Sequence, residues 1–187
     1  QALKAWETFS KAFEEYPYNS GGLYAGPFQL GPANLLFEKA TGYHATMVGF
    51  PYDNLDAWRG PYPAEVYVRQ CEKVALGFET GIELMRQAQM KADTESFIRN
   101  IAGDLRLAEA AWIHFKSVAN QARFTMNRHA ISKWHPMTHT RPASAEIDGS
   151  LERVVEQISV TKEEIELASR MYDLTRADAR IGYEASN

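Results

Sequence analysis

The segment from Gly49 to Gly60 reads Gly-Phe-Pro-Tyr-Asp-Asn-Leu-Asp-Ala-Trp-Arg-Gly. It places two carboxylates, a guanidinium, a phenol and an indole close together. That mix suits a saccharide, because aromatic faces stack on sugar C–H surfaces while carboxylates and Arg hydrogen-bond hydroxyls. Asp53 and Asp56 also have the types of an acid/base pair, since glycoside hydrolysis uses two carboxyl groups held a few ångström apart. A plainer reading stands beside this one. Either aspartate can form an Asx turn, and Trp58 can anchor the segment to the rest of the protein. A second stretch, Gly26 to Asn34, adds Gln29 and Asn34, whose alternative role is to satisfy loop backbone. The candidate saccharide contacts are therefore Gln29, Asn34, Tyr52, Asp53, Asp56, Trp58 and Arg59.

Other chemistries find less support. His135 and His139 have the spacing of helical zinc ligands, but Pro136 between them marks a helix end. No Glu lies three residues before a His, as a di-metal bundle requires. No metal site and no cofactor is expected. Cys71 sits among Tyr67, Val74 and Phe78, where a thiol behaves as a small hydrophobe. Neither a nucleophile elbow nor a phosphate-binding glycine loop is present.

These segments need a scaffold, and helical periodicity supplies it. Leu3, Trp6, Phe9, Ala12, Phe13 and Tyr16 share one face of a helix over about residues 2–15, which Pro17 ends. Tyr67, Cys71, Val74, Phe78, Ile82 and Met85 define a second helix, starting at Pro63 and reaching about Lys91. Phe97, Ile101, Leu105, Ala108, Trp112, Phe115, Ala119, Ala122 and Met126 define a third, with Asp93 as its N-cap and an end near Trp134. A last helix carries Leu151, Val154, Val155, Ile158, Ile165, Ala168, Met171, Tyr172 and Leu174. Thr161 and Glu164 have capping-box spacing, so a kink or restart near Ser159 is expected.

Tyr18 to Tyr62 differs. Seven of the 12 glycines and four of the 8 prolines fall there. Yet it is rich in large apolar residues, so packing should order it. Ala45 to Phe50 is a candidate short strand. The expected architecture is all-α: a single domain over 1–187, a bundle of three long antiparallel helices plus a shorter N-terminal one. A long ordered aromatic Gly/Pro loop over about 18–62 completes it.

The 187 residues suffice for one domain with a core. A formal net charge of −4 argues against a nucleic-acid surface, and no apolar run is long enough for a membrane span. The single cysteine precludes an internal disulfide. Gln1 lies inside a helical pattern, which reads as a processed or excised N-terminus.

Several strings resemble the C-terminal region of large bacterial glycoside-hydrolase-like proteins. They are Trp6-x-x-Phe9-Ser10-x-Ala12-Phe13-x-x-Tyr16-Pro17, Gly31-Pro32-Ala33-Asn34-Leu35-Leu36, Thr41-Gly42-Tyr43-x-Ala45-Thr46-Met47-Val48-Gly49-Phe50-Pro51-Tyr52-Asp53 and Trp58-Arg59-Gly60-Pro61-Tyr62-Pro63. Ser117-Val118-Ala119-Asn120-Gln121-x-Arg123-Phe124 and Arg180-Ile181-Gly182-x-Glu184-Ala185-Ser186-Asn187 extend the resemblance over nearly the whole chain. It implies a helical domain that follows a catalytic (β/α)-barrel in a saccharide-processing protein. That barrel lies outside this sequence, and the chain is expected to continue past Asn187. No catalytic residue is carried over. The implied partners are the barrel of the same parent protein or an oligomer partner, together with saccharide; the implied location is periplasmic or secreted.

Three functions follow. An accessory domain of a carbohydrate-active protein predicts a large exposed apolar patch. A self-contained helical protein-interaction module predicts that the aromatic loop folds back on its own helices and buries Trp58. A stand-alone hydrolase predicts activity lost on Asp53→Asn or Asp56→Asn.

Overall fold

The computed structural model describes residues 1–44, 46, 51–133 and 144–181, with the side chains of 23–25, 29 and 144–148 left aside. The described residues are helical and bundle-like. Six helices run in the order α1 (Ala2–Phe13), α2 (Ser20–Ala25), α3 (Leu55–Trp58), α4 (Ala64–Met90), α5 (Glu95–Lys133) and α6 (Ser144–Ala177), with 3-10 turns at Pro27–Gln29 and Gly31–Ala33. The expected strand at Ala45–Phe50 lies outside the described residues apart from Thr46, as do Trp134, His135 and His139.

α5 is the central element, packed on α4 along one side and on α6 along another, while α1 lies on α4. Ion pairs join Glu72 to Arg123 and Arg86 to Glu109, so late residues of α4 meet early residues of α5. The α1–α4–α5 core follows much of the apolar spacing of the sequence, through Phe9, Ala12, Val74, Phe78, Ile82, Met85, Ile101, Leu105 and Phe115. Leu3, Trp6, Phe13 and Phe97 of the expected faces are exposed, however, and Ala5 is buried instead. Phe9 stacks on Phe78 with ring centroids 5.1 Å apart, and Phe13, Phe28 and Tyr16 set ring edges around Phe115. Tyr16, half-buried there, has its phenol pushed up to about 12, chiefly by desolvation. α1 approaches α4 closely because Gly77 and Gly81 present no Cβ: one added at either would run into Ala12 or the Phe9 ring.

Two helix starts differ from the sequence reading. Pro63 is the N-cap of α4 rather than its first helical residue. At α5 the cap is Thr94, not Asp93: its hydroxyl accepts from the N–H of Phe97 at 3.3 Å. A threonine oxygen next to the first turn reaches that donor better than a carboxylate one residue earlier.

α6 departs further. It runs unbroken through Ser159, because Thr161 donates its hydroxyl to the carbonyl of Gln157 at 2.8 Å and Glu164 turns into the protein. The inward residues of α6 include Val160, Glu164 and Leu167, while Leu151, Val154, Val155, Ile158, Ile165 and Tyr172 face solvent.

The long segment between α1 and α4 folds back on the helices. Tyr52, Leu55 and Trp58 pack with Tyr67, Val68, Cys71, Val118, Ala119 and Ala122 as a second apolar cluster. Asn19 ties its two ends, accepting from the N–H of Gly22 at 2.6 Å and donating to the carbonyl of Trp58 at 3.2 Å. Gly60, at φ +63°, has the side chain of Asn19 against it, so both its conformation and its missing Cβ are needed.

Candidate functional site

The seven predicted contacts divide into braces and rim. Trp58 is 1% exposed and lies edge-on to Tyr67, with centroids 5.5 Å apart. It is an anchor in the core and not a platform for a ligand. Asn34 is buried; its amide donates to Oε1 of Gln121 at 2.7 Å and its Oδ1 accepts from the N–H of Tyr52 at 3.2 Å. Tyr52 is buried as well, its hydroxyl 3.4 Å from the carbonyl of Thr46. Gln29 contributes backbone to the first 3-10 turn, and its side chain lies outside the described residues.

Asp53 is the principal brace. Its carboxylate accepts from the N–H of Thr41 at 2.8 Å, from the Thr41 hydroxyl at 3.0 Å and from Arg128 Nη1 at 3.3 Å. Arg128 also donates to the carbonyls of Asp53 at 2.6 Å and Phe37 at 3.1 Å. One buried ion pair thus fixes residues 37–41 and 53 to the last turns of α5. Asp56 by contrast is exposed at the start of α3 and pairs with Arg59 Nε at 2.7 Å. Arg59 in turn donates to the carbonyl of Tyr62. A glycosidase acid must deliver a proton to the leaving oxygen; Asp53 is instead committed to holding backbone.

What the braces create is a groove. A hollow of about 620 Å³ lies between residues 38–44, residues 53–56 and the end of α5. Its floor includes Leu55, Ala64 and Met126, and its rim carries Tyr43, His44, Asn54 and His129, all exposed. Asp53 is held by Arg128 and Asp56 by Arg59, while Glu38 and Lys39 stand exposed on the same rim. The volume falls in the range of small-ligand sites, and an apolar floor with a few polar groups is the usual composition of one. A smaller hollow, about 240 Å³, is lined by Glu65, Arg69, Arg123, Arg153 and Glu156, of which Arg123 pairs with Glu72 and Glu156 and Arg153 with Glu156.

Behind the groove runs a buried polar chain. Gln121 Nε2 donates to the carbonyl of Gly31 and to Ser117 Oγ, both at 2.8 Å. Ser117 donates to Glu164, and Asn120 Nδ2 reaches the same carboxylate at 3.3 Å. Burial pushes the Glu164 carboxyl up to about 7, against the pull of the Ser117, Asn120 and Gln121 hydrogen bonds. His114 packs beside Gly31, which is at φ +52° and whose missing Cβ makes room for the ring. Burial lowers the His114 imidazole, opposed by a hydrogen bond with the backbone of Phe28.

Sequence reasoning missed Tyr43, His44, Arg128 and His129 as groove residues. Tyr43 stood inside a quoted motif, but nothing in the sequence pairs Arg128 with Asp53. It also missed Ser117, Asn120 and Gln121, whose signal was three uncharged polar residues in mid-helix between Phe115 and Phe124.

Comparison with family models, curated proteins and solved structures found no match. Among the described residues no cluster of three or more His, Cys, Asp or Glu is placed to hold a metal ion. No helix among them is long and apolar enough to cross a membrane. Burial pushes the Cys71 thiol up, away from the thiolate form a nucleophile needs.

Proposed function

We propose that this chain is an accessory helical domain of a carbohydrate-active, glycoside-hydrolase-like protein. It supports a catalytic barrel that lies outside this sequence and contacts saccharide through the groove beside α5. The scaffold is read as three long antiparallel helices, α4, α5 and α6, with α1 as a shorter fourth and the aromatic loop folded along them.

The observation that carries the saccharide contact is the state of the groove. Two of its three carboxylates are satisfied by arginines of this chain, and its exposed rim offers a phenol, a carboxamide and two imidazoles beside Glu38 and Lys39, around an apolar floor. A phenol, amide and imidazoles beside one carboxylate and one ammonium offer the mixed donors and acceptors that hydroxyls of a polyhydroxylated ligand take up. The Asp53–Arg128 brace holds this surface before a ligand arrives, which reduces the ordering cost of binding. The support for a barrel partner is the sequence resemblance.

The test is a thermal-shift series with mono- and oligosaccharides. A sugar that binds only the folded chain raises Tm, by about 2.7 kcal/mol of added stability at a hundred times Kd. A saturable shift for one sugar, lost in Tyr43→Ala or His129→Ala while the ligand-free Tm is kept, is the expected result. No response to any sugar would overturn the saccharide contact.

The second reading is a self-contained helical protein-interaction module with no sugar role. The burial of Trp58 and the return of the aromatic loop onto its own helices favour it. It predicts a partner complex and a groove without ligand.

A further inference from the structure

α6 is amphipathic in the reverse sense. It turns carboxylates and an arginine toward α5, with Val160 and Leu167 buried as well, and leaves most of its large apolar residues in water. Leu151 is 61% exposed, Val155 59%, Ile158 52%, Ile165 66% and Tyr172 60%, with Val154 at 37%. A face this apolar on a long helix marks an interaction surface.

Its spacing says what kind. Leu151, Ile158, Ile165 and Tyr172 recur at every seventh residue, and Val154, Thr161, Ala168 and Thr175 follow each by three. This is the pattern of a coiled-coil seam, sustained over more than three heptads. Thr161 and Thr175 donate their hydroxyls to carbonyls of their own helix, at 2.8 and 2.9 Å, and so offer methyl groups to a neighbour. None of these eight positions is charged.

We propose that a second copy of this chain covers the seam, α6 against α6, in an antiparallel two-fold pair. The seam is self-complementary only in that sense. A two-fold axis near Ser159 and Val160 sets Leu151 against Ala168 of the partner subunit, Val154 against Ile165 of the partner subunit and Ile158 against Thr161 of the partner subunit. Each layer then joins a larger side chain to a smaller one, as close packing requires. A parallel pair in register would stack Ala168 on Ala168 of the partner subunit and Thr161 on Thr161 of the partner subunit, leaving voids. The antiparallel register also sets Lys162 near Val155 of the partner subunit, where its stem covers apolar surface and its ammonium reaches water. At roughly 100 Å² for each of the six exposed side chains, two copies bury about 1,200 Å², the lower limit of specific interfaces. The proposal stands on α6 alone and does not depend on saccharide binding.

Sedimentation equilibrium and light scattering on the chain give the test. The expected result is a reversible dimer that Ile158→Lys with Ile165→Lys weakens at least about a hundredfold in Kd. Circular dichroism should stay unchanged, and so should Tm at concentrations where both chains are monomeric, because both residues face water in the monomer. If that pair fails to fold, Leu151→Gln with Tyr172→Gln replaces it, and persistence of the dimer there counts against the proposal. In a Cys71→Ala background, Val154→Cys mixed with Ile165→Cys should form a disulfide-linked pair, whereas Tyr172→Cys alone should not. A chain monomeric at every concentration overturns the proposal, as does a dimer indifferent to the lysines. So does association only when the rest of the parent protein is supplied, which would give the seam to that partner. Cross-linking through Cys at 172 would overturn the antiparallel register.

Discussion

α5 has two sides, one apolar and one mostly polar. Toward α1 and α4 it meets Phe9, Val74, Phe78, Ile82 and Met85, all buried. Toward α6 and the residue that follows it, α5 meets Glu164, Glu156, Glu163, Arg153 and Asp178 through Ser117, Asn120, Asn127, Lys116, Arg123 and Arg106, and α6 also buries Val160 and Leu167. At the end of that seam Asp178 is held well below the usual carboxylate range, first by Arg180 and then by Arg106, against its own desolvation. The first side gains from removing apolar area from water. The second gains little net from each polar contact but is costly to leave half-made. The difference teaches where specificity sits. An apolar seam tolerates repacking, whereas the α5–α6 seam accepts only a register in which every donor meets its acceptor.

Breaking the apolar side should have the largest effect. Phe78→Ala removes a ring that stacks on Phe9 and touches Phe115, and a loss of about 3–5 kcal/mol in denaturant unfolding is expected. On the polar side, Ser117→Ala leaves an oxygen of Glu164 and a proton of Gln121 each short of a partner. The expected loss is about 1–3 kcal/mol, and it should shrink in a Glu164→Leu background, where one of the orphaned groups is gone. Equal losses on the two sides, with no such coupling, would mean that the seams do not differ as described.

This contrast also explains what could be read from the sequence. α4 and α5 were legible because their apolar residues recur at helical spacing and do face the core, as Cys71, Val74, Ile101 and Leu105 show. α6 was legible as a helix for the same reason, but its orientation was not. Periodicity reports that one face is apolar and not what lies against it; here α5 takes the polar face. The segment between α1 and α4 hid its short helices, since Leu55–Trp58 is only four residues long and shows no period. Asp53 was legible as a residue able to do chemistry. Its work as a brace depends on Arg128, 75 residues away, a pairing no local pattern encodes.

The account rests on α6 turning its polar side inward, and the pH dependence of stability for wild type and Glu164→Gln tests that most directly. Glu164 in the folded chain has its carboxyl raised from 4.5 to about 7. The native state therefore binds the proton more tightly than the unfolded state. Its contribution is fully present below about pH 4.5 and is lost as pH rises through 7, about 3 kcal/mol in all. His114, lowered by burial, contributes with the opposite slope below its ordinary value of 6.5, so the difference between the two proteins is what matters. The predicted result is two unfolding free-energy curves that separate between pH 4.5 and 7, with Glu164→Gln the more stable above that range. Parallel curves would place Glu164 in solvent and contradict the account.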